Sequence, residues 1–151
     1  MRKLDSGQSM FELVLAIGIM GIILLSLVAL ATLSVRNASF SRNQAEASRL
    51  GQETIEWLRH ERDTSWSTFV TNTTASPTRC VVTPEWSGAK LGGCTGADII
   101  NGLYFRRAEF TPTDINSDTY IDRIEVVVIV SWQDARGNHE VANSIYYTNW
   151  E

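Results

Sequence analysis

The stretch Gly7-Gln8-Ser9-Met10-Phe11-Glu12, together with the apolar run behind it, decides how this chain is organised. From Leu13 to Val35 the chain has no charged residue and no proline. Uninterrupted apolar runs of about 18 residues or more are typical of transmembrane helices. These 23 residues would form a helix about 34 Å long, enough to cross a hydrocarbon core of roughly 30 Å. The sequence therefore predicts one membrane-spanning helix near the N-terminus.

The residues before the run predict how that helix is oriented. Arg2 and Lys3 precede it, and basic residues favour the cytoplasmic side of a membrane. We therefore expect the N-terminus inside and the rest of the chain outside. A cleaved secretory signal is the alternative, because Ala29-Leu30-Ala31 is similar to a signal-peptidase site. Secretory signals normally have apolar regions of only about 7–15 residues, so the length favours the anchor.

Glu12 is the unusual residue of this stretch, because it places a carboxylate at the edge of the apolar run. An acid at the centre of a bilayer costs about 2.5–3.5 kcal/mol, less near the interface, and acids in such segments usually have a function. The alternative is an interfacial acid whose side chain reaches the lipid headgroups. A functional acid needs a cationic partner, which the apolar run itself does not contain.

Gly7, the four residues after it, Glu12 and the long apolar run together resemble the class III signal of type IV pilins and type II secretion pseudopilins. The resemblance implies that prepilin peptidase cuts between Gly7 and Gln8 and methylates the new amino terminus at Gln8. It also implies that Glu12 is the acid that guides assembly. The lack of proline in the apolar helix favours a minor pilin or pseudopilin.

The same resemblance implies a fold, a set of partners and a location. The fold is α+β and pilin-like, with a long N-terminal helix packed on a C-terminal antiparallel sheet. The partners are other pilin subunits, prepilin peptidase, the inner-membrane assembly platform and, before assembly, membrane lipid. The protein is expected in the cytoplasmic (inner) membrane with its N-terminus inside, and then in an extracellular pilus or a periplasmic pseudopilus.

Periodicity predicts that the helix continues well beyond the apolar run. A stripe at three- and four-residue spacing is typical of a helix that buries one face against a sheet. It consists of Ala47, Leu50, Thr54, Trp57 and Leu58. We therefore expect residues 1–7 to be a leader, 8–35 the membrane and assembly half of the helix, 36–62 its amphipathic half, and 63–151 a globular β domain.

The two cysteines, Cys80 and Cys94, lie in a loop-rich stretch, residues 64–102, where a short strand is expected near Arg79–Thr83. In an exported domain two cysteines favour one disulfide. Closing a loop of about 15 residues is worth roughly 3 kcal/mol in the chain-entropy model. Two cysteines alone do not make a zinc site, and this pair is not a CxxC redox motif.

Three further strands are expected, and they form an antiparallel meander. In Gly102–Thr111 we expect Leu103, Phe105, Ala108 and Phe110 to form the apolar side. The strongest strand, Ile121–Trp132, is expected to be central and covered on both faces. The turn Asp134–Asn138 then leads to a strand at Val141–Trp150.

The polar segment 114–125 has oxygen-bearing side chains at the spacing of a calcium loop. Thr119 stands where such loops have glycine, and no helices flank the segment. A polar turn whose Asp and Asn side chains cap the backbone is the alternative. If calcium binds, the ligands are Asp114, Asn116, Asp118 and Asp122.

Composition argues against several other functions. The formal net charge is −4 and no cluster of Lys and Arg lies outside the leader, so there is no direct signal for nucleic-acid binding. No nucleophile elbow, phosphate-binding glycine loop or histidine metal spacing appears, so we expect no enzyme and no required cofactor. The sequence leaves one rival to the filament subunit: a single-span, membrane-anchored receptor or binding domain.

Overall fold

The computed structural model describes residues 6–117 and 119–149, with side chains from residue 10 onward. The chain divides into two compact units, one up to Arg42 and one from Asn43 onward. One helix, α1 (Ser6–Thr64), runs through the division. The long N-terminal helix packed on an antiparallel sheet is confirmed, and α1 ends two residues after the predicted Arg62.

In the second unit, α1 packs against the sheet through the predicted stripe. Ala47, Leu50, Thr54 and Leu58 are all at most 3% exposed. The ion pairs Glu46–Arg49 and Glu56–Arg59 lie on the solvent side. The helix is therefore amphipathic here because its apolar residues recur with the helical period.

A second helix, α2 (Trp66–Thr74), follows at once and was not predicted. Ser65 is its N-cap, and the Ser65 side chain accepts a hydrogen bond from the Thr68 N–H at 3.3 Å. Phe69 and Thr73 are buried on its inner face. The expectation of a loop was wrong here because Ser- and Thr-rich composition favours loops, whereas this segment is capped and buries one face.

The sheet has five antiparallel strands in the order β2-β1-β3-β4-β5. The predicted meander corresponds to β3, β4 and β5, and the predicted short strand corresponds to β1. The three-residue strand β2 was not predicted. The strands are β1 (Thr78–Val81), β2 (Ala89–Leu91), β3 (Tyr104–Thr113), β4 (Arg123–Asp134) and β5 (Gly137–Thr148).

The predicted apolar side of β3 is confirmed for Ala108 and Phe110 and was wrong for Leu103 and Phe105. The buried residues are Tyr104, Arg106, Ala108 and Phe110, in strict alternation. Because side chains of a regular strand alternate between faces, Phe105 lies on the opposite face. The sequence predicts Arg106 on the outer side because charged residues are rarely buried.

The strand β4 has one fully buried face, as predicted, formed by Ile124, Val126, Val128 and Val130, each 0% exposed. Its other face is only partly covered: Ile129 is buried and Val127 half-buried. The predicted turn is a two-residue connection between Asp134 and Gly137, and Gly137 has φ of 123°. The strand β5 therefore begins four residues before the predicted Val141, and Trp150 lies outside the described residues.

Candidate functional site

The first unit presents one continuous apolar surface. From residue 10 to residue 35 every side chain of α1 is exposed, including Phe11 at 71% and Leu25 at 74%. The hydroxyl of Ser26 donates to the Ile22 carbonyl at 2.8 Å, and Thr32 donates to the Val28 carbonyl at 2.9 Å. These polar groups are satisfied within the helix, as hydrocarbon requires. The segment is a candidate membrane span by length and composition.

Glu12 lies in α1 at the head of this surface, and its side chain is exposed. Gly7 and Gln8, the predicted cleavage and methylation positions, have helical backbone, but the Gln8 side chain lies outside the described residues, as do residues 1–5. A Cβ atom added at Gly18 or Gly21 would meet no atom within 4 Å. Neither glycine is therefore required by a close contact within the described chain.

In the second unit, the Arg106 guanidinium joins α1 to the sheet. The side chain is 1% exposed and donates hydrogen bonds, each of 3.0 Å, to three backbone carbonyls and one carboxylate. Burial lowers the pKa of Arg106, and the Glu53 carboxylate opposes that shift. The acceptors are the carbonyls of Leu50, Val81 and Val82 and the Glu53 carboxylate.

An aromatic cluster holds the end of α1 against the β1–β2 connection. The rings of Trp57 and Trp86 lie edge to face with centroids 4.9 Å apart. The Glu61 carboxylate accepts a hydrogen bond from each indole, at 3.1 Å from Trp57 and 2.6 Å from Trp86. The half-buried ring of Trp86 packs against the core.

The predicted Cys80–Cys94 disulfide is present in the structure, with 4.9 Å between the two Cα atoms. The loop after Cys94 is held by Asp98, whose side chain is 2% exposed and pairs with Lys90. Thr95 donates its backbone N–H at 2.9 Å and its hydroxyl at 2.8 Å to the Asp98 carboxylate. The Lys90 ammonium, followed by these Thr95 hydrogen bonds, lowers the pKa of Asp98 to about 2.

The segment predicted as a calcium site forms a polar turn between β3 and β4. The Asp114 carboxylate accepts from the backbone N–H groups of Ser117 at 2.6 Å and Thr119 at 3.0 Å. The Asp122 carboxylate accepts from the Ile115 N–H at 2.7 Å. Among described residues no group of three or more His, Cys, Asp and Glu could hold a metal ion. Asp118 lies outside that set, and calcium at Asp114, Asn116, Asp118 and Asp122 stays a prediction.

A hollow of about 720 Å³ lies on the sheet face that points away from α1. Phe105, Arg107 and Ser131 line it, and Arg107 makes an exposed ion pair with Glu109 at 2.9 Å. Sequence reasoning missed this hollow because it placed Phe105 on the buried side of β3. An aromatic ring beside a cation and hydroxyl and amide groups can hold a small polar ligand.

Comparison of the chain with protein-family models, with curated proteins and with solved structures finds no match.

Proposed function

We propose that this protein is a structural subunit, a minor pilin or pseudopilin, of a type IV pilus or a type II secretion-like filament. The observation that carries the proposal is the acid Glu12, five residues after Gly7, at the head of an apolar part of α1 that is exposed from residue 10 to residue 35. An uncovered apolar surface of that size needs lipid or other subunits around it. Membrane lipid covers it before assembly and neighbouring subunits cover it afterwards.

The role of Glu12 follows from the cost of an unpaired charge in an apolar setting. Cleavage after Gly7 would create an ammonium group at Gln8. A carboxylate in hydrocarbon is stabilised only by a close cation or by hydrogen bonds. Pairing of Glu12 with the Gln8 amine of a neighbouring subunit would fix the axial register, because any other register leaves both charges unpaired.

N-terminal sequencing of the protein purified from membranes tests the proposal. A chain that begins at Gln8 supports a prepilin cut by prepilin peptidase, and the methyl group on Gln8 is read in the same experiment by mass spectrometry. A chain that begins at Met1 contradicts it and supports the single-span receptor or binding domain. A chain that begins at Thr32 would mean a cleaved secretory signal and a secreted protein.

Substitution of Glu12 tests the register mechanism separately. Glu12→Ala should still be held in the membrane, because the apolar run behind it is unchanged, but it should be lost from filaments. Glu12→Asp is the matched control, since it keeps the charge and should retain part of the incorporation. Normal incorporation of Glu12→Ala into sheared filaments, measured by immunoblot, would rule the mechanism out.

The rival function draws on the hollow beside Phe105 and Arg107. A single-span anchor that carries such a hollow outside the membrane could act as a binding domain without any assembly. The two functions differ in the first residue of the mature chain and in the effect of Glu12→Ala, which a binding domain would tolerate.

A further inference from the structure

The strand β5 (Gly137–Thr148) forms one edge of the sheet, because β4 is its only neighbour among the described strands. It pairs with β4 over all 12 residues in one unbroken register, from Arg123 opposite Thr148 to Asp134 opposite Gly137. The strand contains no proline, lysine or arginine. It is therefore a long, regular strand with one side open.

The hydrogen-bond pattern identifies which residues of β5 face outward. The Asn149 N–H donates to the Asp122 carbonyl at 3.2 Å, and this pair continues the β4–β5 register. In an antiparallel ladder such bonded pairs alternate with non-bonded pairs. The odd-numbered residues of β5 therefore bond β4, while the even-numbered ones direct their N–H and C=O groups to the open side. These are Asn138, Glu140, Ala142, Ser144, Tyr146 and Thr148.

No described residue bonds these outward backbone groups. All six residues also have exposed side chains. Exposed strand edges of this kind are normally shortened, charged, bent by a bulge or covered, because they pair readily with other chains. The opposite edge follows that rule: β2 has three residues and carries Lys90. The strand β5 has none of these protections except the single acid Glu140.

We propose that β5 binds an extended segment of a different polypeptide, which adds a sixth strand to the sheet. Only a second extended backbone repeats donors and acceptors at the roughly 6.8 Å spacing of alternate strand residues. Val141 and Ile145 are half-buried on the side that faces α1, so the added strand carries apolar residues at alternate positions there. Its other positions are small and polar, beside Ala142 and Ser144, with a cation near Glu140.

A second copy of this chain fits the edge less well. Suppose that two copies pair through antiparallel β5 strands with both α1 helices on one face of the sheet. A twofold axis normal to the sheet then relates the two copies. That axis reverses every direction in the sheet plane, so the parts of α1 that pack on the sheet run in opposite directions in the two copies. Two anchors in one bilayer must enter it from the same side. This step rests on the membrane anchoring proposed above.

Amide hydrogen exchange on the full chain, one chain per lipid nanodisc, tests the proposal. The probe is the synthetic peptide acetyl-Lys-Thr-Val-Thr-Val-Thr-Val-Thr-amide, and the control is the same peptide methylated at every backbone nitrogen. The unmethylated peptide should slow exchange at Glu140, Ala142, Ser144 and Tyr146 at least tenfold. The odd-numbered amides should change little, because they already bond β4. The methylated peptide should have no effect.

Substitutions at the edge complete the test. Ala142→Pro removes an outward donor without breaking a bond to β4, so it should weaken peptide binding at least tenfold while the melting temperature stays close to that of the wild type. Ala142→Val keeps the donor and is the matched control. Ser144→Pro removes a neighbouring outward donor and replaces Ala142→Pro if that variant does not fold.

Three results would overturn the proposal. The first is no slowing at a peptide concentration of about 1 mM, which is high enough to populate even a weak complex. The second is equal slowing by the methylated peptide. The third is protection that appears in nanodiscs holding two chains without peptide, which would assign the edge to a second copy. A mature chain that begins at Met1 would refute the filament role and leave these exchange results unchanged.

Discussion

Arg106 is a single residue whose side chain joins α1 to the sheet. Its guanidinium supplies hydrogen bonds to the carbonyls of Leu50, Val81 and Val82. Replacing both partners of a buried ion pair by apolar residues can leave the stability unchanged. Backbone carbonyls cannot be replaced in this way, so they stay buried when the arginine is removed. Arg106→Met should therefore lower the free energy of unfolding by about 2–4 kcal/mol, because these carbonyls lose the hydrogen bonds from the guanidinium.

Arg107→Met is the control for that experiment. Arg107 is the next residue of β3, its side chain is 40% exposed, and its partner Glu109 is similarly exposed. Exposed ion pairs contribute about 1 kcal/mol or less. Urea unfolding followed by tryptophan fluorescence measures both variants. If the two substitutions cost the same, the buried guanidinium does not have the role assigned to it.

Asp98 should make the stability of the protein depend on acid pH. The folded-state pKa of Asp98, about 2, lies below the unfolded value of about 3.9. The contribution is therefore fully present above about pH 4 and is lost as the pH falls through about 2. The difference in unfolding free energy between wild type and Asp98→Asn should be constant from about pH 6 to about pH 4 and shrink below it.

Lys90→Met tests the cause of that pH dependence. The Lys90 ammonium is the largest influence on the Asp98 carboxylate. Without it the folded-state pKa of Asp98 should lie closer to the unfolded value, so the acid-dependent loss of stability should be smaller and should end at a higher pH. The lowered pKa of Asp98 would be contradicted if the difference in unfolding free energy between the wild type and Asp98→Asn stayed constant from about pH 4 to about pH 2.

At the scale of elements, Gly51 lies where α1 comes close to a side chain of the sheet. A Cβ atom added there would lie 2.8 Å from the Asn143 side-chain nitrogen. Gly51→Ala alone should therefore lower the unfolding free energy by about 1 kcal/mol through overpacking. In an Asn143→Ala background the same change should raise it by about 0.5–1 kcal/mol, because alanine is the better helix former.

The Asn143→Ala background is itself a mild change, because the Asn143 side-chain nitrogen has no hydrogen-bond partner among the described residues. A double-mutant cycle by urea unfolding yields the coupling directly. Equal effects of Gly51→Ala in the two backgrounds would mean that the helix shifts freely and that no close contact exists at Gly51.

Elements with a strong local period could be predicted from sequence, and those that depend on distant partners could not. The stripe from Ala47 to Leu58 and the alternation in β4 are local signals, and both are confirmed. The buried position of Arg106 depends on carbonyls 24 to 56 residues away. The helix α2 depends on the burial of Phe69 and Thr73, which its Thr-rich composition does not indicate.

At the scale of the whole molecule, the two compact units predict where the chain can be divided. The buried residues of the described structure all lie at or after Ala47. A fragment that begins at Asn43 should therefore be soluble without detergent and should melt within a few degrees of the full chain in detergent. Circular dichroism during heating measures both.

A fragment that begins at Gln52 is the matched comparison. It lacks Ala47 and Leu50, and with Leu50 it loses one of the carbonyls that Arg106 bonds. Loss of a buried leucine alone typically costs about 2–5 kcal/mol. This fragment should therefore be far less stable than the first. Equal melting temperatures would show that the first turns of the amphipathic part of α1 contribute nothing to the fold.

The contact between Trp57 and Trp86 has an optical consequence. Two indoles at a centroid distance of 4.9 Å couple electronically, so they should produce a paired signal in the near-ultraviolet circular dichroism spectrum. One ring belongs to α1 and the other to the connection that the disulfide closes. Loss of that paired signal during unfolding would show, without any added label, when the β1–β2 connection separates from α1.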